Sequence, residues 1–406
     1  MQAAQQRGTK CHCLSLHARA EQGDASNLKI VKFLTVAAKH CRKAEHSLSR
    51  FIGTAGSFNE EKAMKKTALL FGFTFICLFL PNALLNQSHG DGCPKTPLDM
   101  EALKKTLSHV RGATKSEIGW PRVIEYKHEI YDFRKDLFHQ EKRTFAIQTQ
   151  PLRIIPHAVG VSEILWAICP RERIIAFNEF SADPEFCFIA DLVKKRGPIF
   201  KSKQTELVIG YQPDLVFTVF YSGADFKEKL KQAKIPFFDL GHFGTIESIK
   251  KQTLLIGKII GEEGNAEALV RTIDKKIQEL RKKIPDIKKP IRVLYYDEGG
   301  YIPGKSSNFE SMCNIIRVVN VGAEQGIKSW SQIDYETLLK WDPDIIITPQ
   351  KSHLREQLMA NEILSHAGAI KKGKVYEIPG VYLRVDSQYM ILSANLLAGI
   401  VYEEAY

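Results

Sequence analysis

TELVIGYQPDLV, residues 205–216, and YETLLKWDPDII, residues 335–346, share one layout. Each has Glu in second place, six residues that suit a short helix, then Pro-Asp and an apolar run. Pro-Asp interrupts a helix, and the short apolar run after it suits a buried strand. One helix-to-strand phrase used twice implies two α/β units in one chain.

Working outward, the same alternation fills both flanks. Short apolar runs occur at PLRIIP (151–156), RIIAF (173–177), GPIF (197–200), DLVFTVF (214–220) and PFFDL (236–240), with helical stretches such as VSEILWAI and DFKEKLKQA between them. The pattern restarts at IRVLYY (291–296), DIIIT (344–348) and KVYEI (374–378), and ends in the helical SQYMILSANLLAGIVYEE. Buried runs separated by helices predict βα units and parallel sheets. Between the two sets, IESIKKQTLLIGKIIG precedes a stretch in which Leu269, Ile273, Ile277, Leu280 and Ile284 recur at steps of three or four. That spacing describes an amphipathic helix closed by Pro285 and Pro290. The expected architecture is two Rossmann-like α/β lobes, 143–262 and 286–406, joined by a long rigid helix, 263–285, with a ligand cleft between the lobes. Residues 91–142 form a charged lead-in with a helix-like stretch at LDMEALKKTLSHV and no strong periodicity after it.

The formal charge of +11 over 406 residues is concentrated at the N-terminus. Residues 91–406 carry 45 Lys/Arg against 41 Asp/Glu, too even a balance for a nucleic-acid binder. MKKTALLFGFTFICLFLPNALLNQSHG, 64–90, has a basic start, an apolar run and small residues at its end, the layout of a secretory signal peptide. The run is short against the about 20 apolar residues of a membrane span. A signal belongs at a chain start, so translation is expected to begin at Met64, with residues 1–63 a non-translated or disordered extension. Cys11, His12 and Cys13 lack the spacing of a zinc site. Cys93, Cys169, Cys187 and Cys313 follow the signal; export permits disulfides, but spacing assigns no pairing. Gly90, Asp91 and Gly92 lack the Leu expected before a lipidated Cys93.

Two short motifs point toward enzymes and fail on chemistry. GGYIPGKSS, 299–307, satisfies G-x-x-x-x-G-K-[ST], yet Asp297 and Glu298 put negative charge beside it and Pro303 has no N–H to offer a phosphate. The better reading is a strand–loop–helix in which Gly299 and Gly300 permit a tight turn and Tyr301 faces the cleft. Gly160-Val161-Ser162-Glu163-Ile164 begins like a nucleophile elbow but lacks the second glycine. An exported hydrolase, or a membrane-anchored structural α/β protein, is the alternative class, and no enzyme activity is expected.

Over residues 143–404 the chain resembles the periplasmic substrate-binding proteins of ABC importers for iron-siderophores, haem and cobalamin. The segments that carry the resemblance are PLRII with GVSEILWAI, TELVIGYQPDLVFTV, LKQAKIPFFDLG, IRVLYYDEGGYIPGKSSNFESM, SWSQIDYETLLKWDPDIIIT and AIKKGKVYEIPG. The resemblance implies two lobes bridged by a rigid helix. It also implies a surface Glu on each lobe that docks onto permease arginines, here Glu206 and Glu336, steering register more than adding affinity. The family's Ser-Pro after the first strand is replaced by Ala158–Val161, with Pro156-His157 upstream.

Positions just after strands are expected to line the cleft: His157, Phe180, Lys201, Tyr221 and His242 from the first lobe, and Tyr301, Trp330, Tyr382 and Arg384 from the second. Aromatics with cations suit a large, partly apolar ligand carrying negative charge. Tyr221, Tyr301 or His242 could ligate haem iron. No resident cofactor and no free-metal site are expected; an iron chelate, haem or cobalamin would be cargo. The implied partners are an ABC permease and its ATPase at the inner membrane, with the protein a periplasmic monomer.

Overall fold

The computed structural model describes residues 94–112, 119–132, 137–242 and 244–406. The expected extension 1–63, the signal 64–90 and Cys93 lie outside the described residues. Gly92–Tyr406 forms one compact unit.

Helix α1 (Met100–Ser108) is capped by Asp99, whose carboxylate accepts the Ala102 N–H at 2.6 Å. An antiparallel hairpin follows, β1 (Arg122–Asp132) with β2 (Leu137–Ile147), paired from Arg122 opposite Ile147. This corrects the expectation of an unpatterned lead-in. Its inward positions are Arg122, Ile124, Tyr126 and His128, so polar and charged residues share the buried face and hide the period-two signal. Arg122 is buried because its guanidinium donates to Glu263 and to the Lys258 carbonyl.

The first parallel sheet has the order β3 (Ile154–Pro156), β4 (Leu215–Thr218), β5 (Phe237–Asp239). A shorter parallel pair, Phe177–Asn178 with Ile199–Phe200, lies beside it. The second sheet comprises β6 (Arg292–Tyr295), β7 (Val319–Asn320), β8 (Ile345–Pro349) and β9 (Val375–Ile378), in the order β7-β6-β8-β9, all parallel. Every apolar run expected to be a strand contributes residues to these pairings. Helices α2 (Val159–Ile168), α3 (Thr205–Gly210), α4 (Ile246–Ile260), α5 (Glu263–Lys283), α6 (Asn308–Ile315), α7 (Tyr335–Trp341) and α8 (Met390–Val401) complete the frame used below.

Strand alternation divides the core. Leu215, Phe217, Val293, Tyr295, Ile345 and Ile347 point into one large cluster that also holds α2, α4, α5 and α8. Their neighbours Val216, and Leu294 with Ile346, point into two smaller clusters on the opposite faces of the two sheets. Helix α5 buries Leu269, Ile273, Ile277 and Leu280 in the large cluster and packs on α1, α2, α4, α6 and α8.

The repeated Pro-Asp phrase has one structural purpose in both sheets. Asp214 accepts the N–H groups of Leu152 (2.7 Å) and Arg153 (2.9 Å) at the start of β3, and Asp344 accepts that of Arg292 (2.9 Å) at the start of β6. In return, Arg153 donates to the carbonyls of Tyr211 and Gln212 after α3, and Arg292 to those of Trp341 and Asp342 after α7. The arginine thus closes the carbonyl end of the preceding helix while the aspartate aligns the neighbouring strand.

The GGYIPGKSS stretch is not a phosphate cradle. Gly299 and Gly300 both sit at positive φ (70° and 79°) and turn the chain into Tyr301–Pro303, which pairs antiparallel with Trp330–Gln332. The amides of Gly304, Lys305 and Ser306 donate to the carbonyls of Ser329, Ile327 and Lys328, leaving none of the three for an anion.

Candidate functional site: an aromatic cleft at the strand ends

A cavity of about 760 Å³ opens where the strands of the first sheet end and the 384–386 segment approaches from the second. His157 follows β3, Phe180 follows the Phe177–Asn178 strand, Ser202 and Lys203 follow Ile199–Phe200, and Tyr221 follows β4. Carboxyl ends of parallel strands are where α/β sheets receive ligands. Phe180 and Tyr221 are 43% and 55% exposed, unusual for rings in a folded chain, and so are free to stack on a ligand.

His157 is buried, its Nδ1 2.9 Å from the Ser222 hydroxyl and its ring 4.1 Å from that of Phe226. Burial pulls its pKa down to about 4, so it stands neutral. Its Nε2 lies in the field of the Ser202 carbonyl without a hydrogen bond of normal geometry. Arg384 holds its guanidinium 5.8 Å above the Phe186 ring at the cleft edge.

Helix α2 opens into this cleft without a side-chain cap. Gly160, in its first turn, is required by packing: a Cβ there would lie 2.2 Å from the Asp386 carbonyl oxygen. The 384–388 segment is thereby held against α2. Behind it, Glu163 accepts the Phe188 N–H at 2.7 Å and bonds the Ser387 hydroxyl, while its main-chain carbonyl accepts from the Gln388 amide at 2.9 Å. Burial pushes the Glu163 acid up to about 7, against the downward pull of the Ser387 and Phe188 hydrogen bonds. Burial with the nearby Glu163 charge takes Asp386 to about 7 as well.

Of the nine residues expected at the cleft, the structure brings together His157, Phe180, Tyr221 and Arg384. Lys201 does not line the cavity; its neighbours Ser202 and Lys203 do. Tyr382 is half-buried with its ring edge-on to Phe188 at 5.1 Å. His242 lies in a second cavity, of about 540 Å³, with Glu129, Phe138 and Ser306, and burial lowers its pKa to about 4. The hairpin fixes that position: Gly241, at φ +70°, packs under the Glu129 carbonyl, and the His242 N–H donates to the same oxygen at 2.9 Å. Tyr301 and Trp330 are half-exposed on the antiparallel pair, with Trp330 5.8 Å from Tyr295, and neither lines the main cavity. The expected strand–loop–helix at 299–307 holds, but Tyr301 does not reach this cavity.

Asp225, Phe226 and Asp386 line the cavity and were not anticipated. For Asp386 the available signal was Gly160, since a glycine in a first helical turn marks the close approach of another segment. Among the described residues, no group of three or more His, Cys, Asp or Glu converges to hold a metal ion. Cys169, Cys187 and Cys313 are free and buried.

Close to Arg384, the 183–188 loop meets the second lobe again, where Glu185 pairs with Lys351. Glu206 and Glu336 are exposed in the first turns of α3 and α7, and Glu206 pairs with Lys229 at 3.0 Å.

Comparison with known proteins bears on the fold. Residues 193–382 match the periplasmic binding protein family. An uncharacterized ABC transporter substrate-binding lipoprotein of Bacillus subtilis, YvrC, is 23% identical over 268 residues, 64% of this chain and 83% of that one. A cobalamin-binding protein of Halobacterium salinarum is 21% identical over 204 residues, 50% of this chain and 55% of its own. The periplasmic haem-binding protein RhuT of Roseiflexus superposes with a TM-score of 0.55 at 17% identity, covering 63% of this chain and 99% of that one, a likeness of fold. Residues 193–382 thus match the periplasmic binding protein family, and over 64% of its length the chain is similar to an ABC-transporter substrate-binding protein.

Proposed function

We propose that this protein captures a bulky metal complex in the aromatic cleft and delivers it to a membrane permease driven by its ATPase. The classes considered are an iron-siderophore, haem or cobalamin. The observation that carries the reading is the cleft itself: about 760 Å³ at the strand ends, with Phe180 and Tyr221 exposed and Arg384 at the edge. A volume of this order suits a large ligand. Relatives named for haem and cobalamin binding favour the same classes.

In this reading, residues 143–262 and 286–406 act as lobes about the helix 263–285. Glu206 and Glu336 dock on the permease, and the protein works as an exported monomer whose signal starts at Met64. No chemical turnover is part of the role. Among the described residues no helix is long and apolar enough to cross a membrane.

The test couples binding to uptake. Protein purified from its host is inspected for the visible spectrum of a bound complex, and ligand is titrated by fluorescence quenching. Glu206→Ala with Glu336→Ala is expected to leave binding unchanged and to reduce uptake at least tenfold. Unchanged uptake in the double variant, or no binding of any of the three ligand classes, overturns the proposal.

A further inference from the structure

Asp386 lies in the cleft with a carboxylate that makes no hydrogen bond or ion pair with any described residue. Its position follows from packing, because Gly160 lets the 384–388 segment close on the first turn of α2. An uncapped helix start ordinarily attracts anions through its free N–H groups and its dipole. Here a fixed carboxylate stands beside that start and offsets the attraction.

Three further features act in the same direction. The walls of the cleft, which keep solvent from the Tyr221 phenol although its ring is half-exposed, and then the Asp386 charge push that phenol up, disfavouring the phenolate that would ligate ferric iron. His157 is held neutral by burial and adds no positive charge. Above the value near 7 at which Asp386 titrates, the cavity lining holds Lys203 and Arg384 against Asp225 and Asp386, so it carries no net positive charge to draw a polyanion.

We propose that Asp386 is a specificity-determining residue of the cleft, selecting metal complexes that present N–H groups or positive charge and carry no net negative charge. This rests on the capture role proposed above and corrects the sequence-based expectation of a negatively charged ligand. A half-buried carboxylate that a ligand covers without donating to it is a penalty for that ligand, whereas an N–H or ammonium group gains a charge-assisted hydrogen bond.

The test is calorimetric titration of the purified full chain at about pH 8, above the value near 7 at which Asp386 titrates. Four probes are used: cyanocobalamin, uncharged and fringed with amides; ferrioxamine B, a ferric trihydroxamate with an ammonium arm; haem, a dicarboxylate; and ferric enterobactin, a trianionic catecholate. One or both of the first two are expected to bind at least tenfold more tightly than either anion. Asp386→Asn, with folding checked by circular dichroism, is expected to shrink that preference by tenfold or more. The wild-type ranking alone decides the question should the variant not fold. Tighter binding of haem or the catecholate, or a preference unmoved in a folded Asp386→Asn, overturns this inference and leaves the capture role standing. Failure of all four probes to bind overturns the capture role, and this inference with it.

Discussion

Replacing Glu163 with Gln is expected to change how stability depends on pH, by an amount the structure sets. Glu163 is 1% exposed, and burial raises its acid from 4.5 to about 7. An acid whose pKa is raised on folding binds its proton more tightly in the folded chain. Its stabilising contribution is therefore full below pH 4.5 and is lost as pH rises through about 7. The rise corresponds to roughly 3 kcal/mol. His157 and His242 act in the opposite sense. Both are held near 4 by burial, so they favour the folded state increasingly as pH rises from 4 toward 6.5. The raw profile of the wild type mixes the two effects, and the difference between wild type and Glu163→Gln separates them. Gln keeps an acceptor for the Phe188 N–H and does not titrate. Urea unfolding, followed by circular dichroism between about pH 4.5 and 8, should show the variant gaining about 3 kcal/mol relative to wild type across that range. A difference constant to within about 0.5 kcal/mol would refute the assignment of Glu163 as a buried acid protonated in the folded state.

Three other substitutions test the frame around the cleft. Gly160→Ala drives a methyl group against the Asp386 carbonyl and should cost about 1–3 kcal/mol in urea unfolding, with ligand affinity falling as the 384–388 segment is displaced. Asp214→Ala and Asp344→Ala each leave strand-start N–H groups without their carboxylate acceptor and should each cost about 1–2 kcal/mol; equal stability of either variant with wild type would remove the structural role given to that phrase.

Much of this frame was legible because burial and chain period coincide in it. The runs around β3, β4, β6 and β8 are apolar on both faces, as strands covered on both sides must be. Helix α5 shows its buried face at a spacing of three to four residues. The β1–β2 hairpin was missed because Arg122 and His128 occupy inward positions, each made tolerable by a partner far along the chain, Glu263 and Asp239. In the cleft, His157, Phe180 and Tyr221 were found because each directly follows a strand. Asp386 was missed because it depends on the approach of two segments distant in sequence. The second Arg–Asp clamp was open to discovery: PLRII at 151–155 recurs as PIRVL at 290–294, a repeat that complements the paired Pro-Asp phrases.

The contacts of the 183–188 loop with the second lobe bear on how quickly a bound molecule can leave. The Glu185–Lys351 pair is largely solvent-exposed, and such a pair contributes at most about 1 kcal/mol. The Arg384–Phe186 contact adds about 0.5–1 kcal/mol at a similarly wet site. Parting these two rim contacts therefore costs only a few times the thermal energy, and salt lowers the ion pair's share of that cost further. Residence time is then governed by what the cargo itself contributes across the cleft, and dissociation should quicken as ionic strength rises.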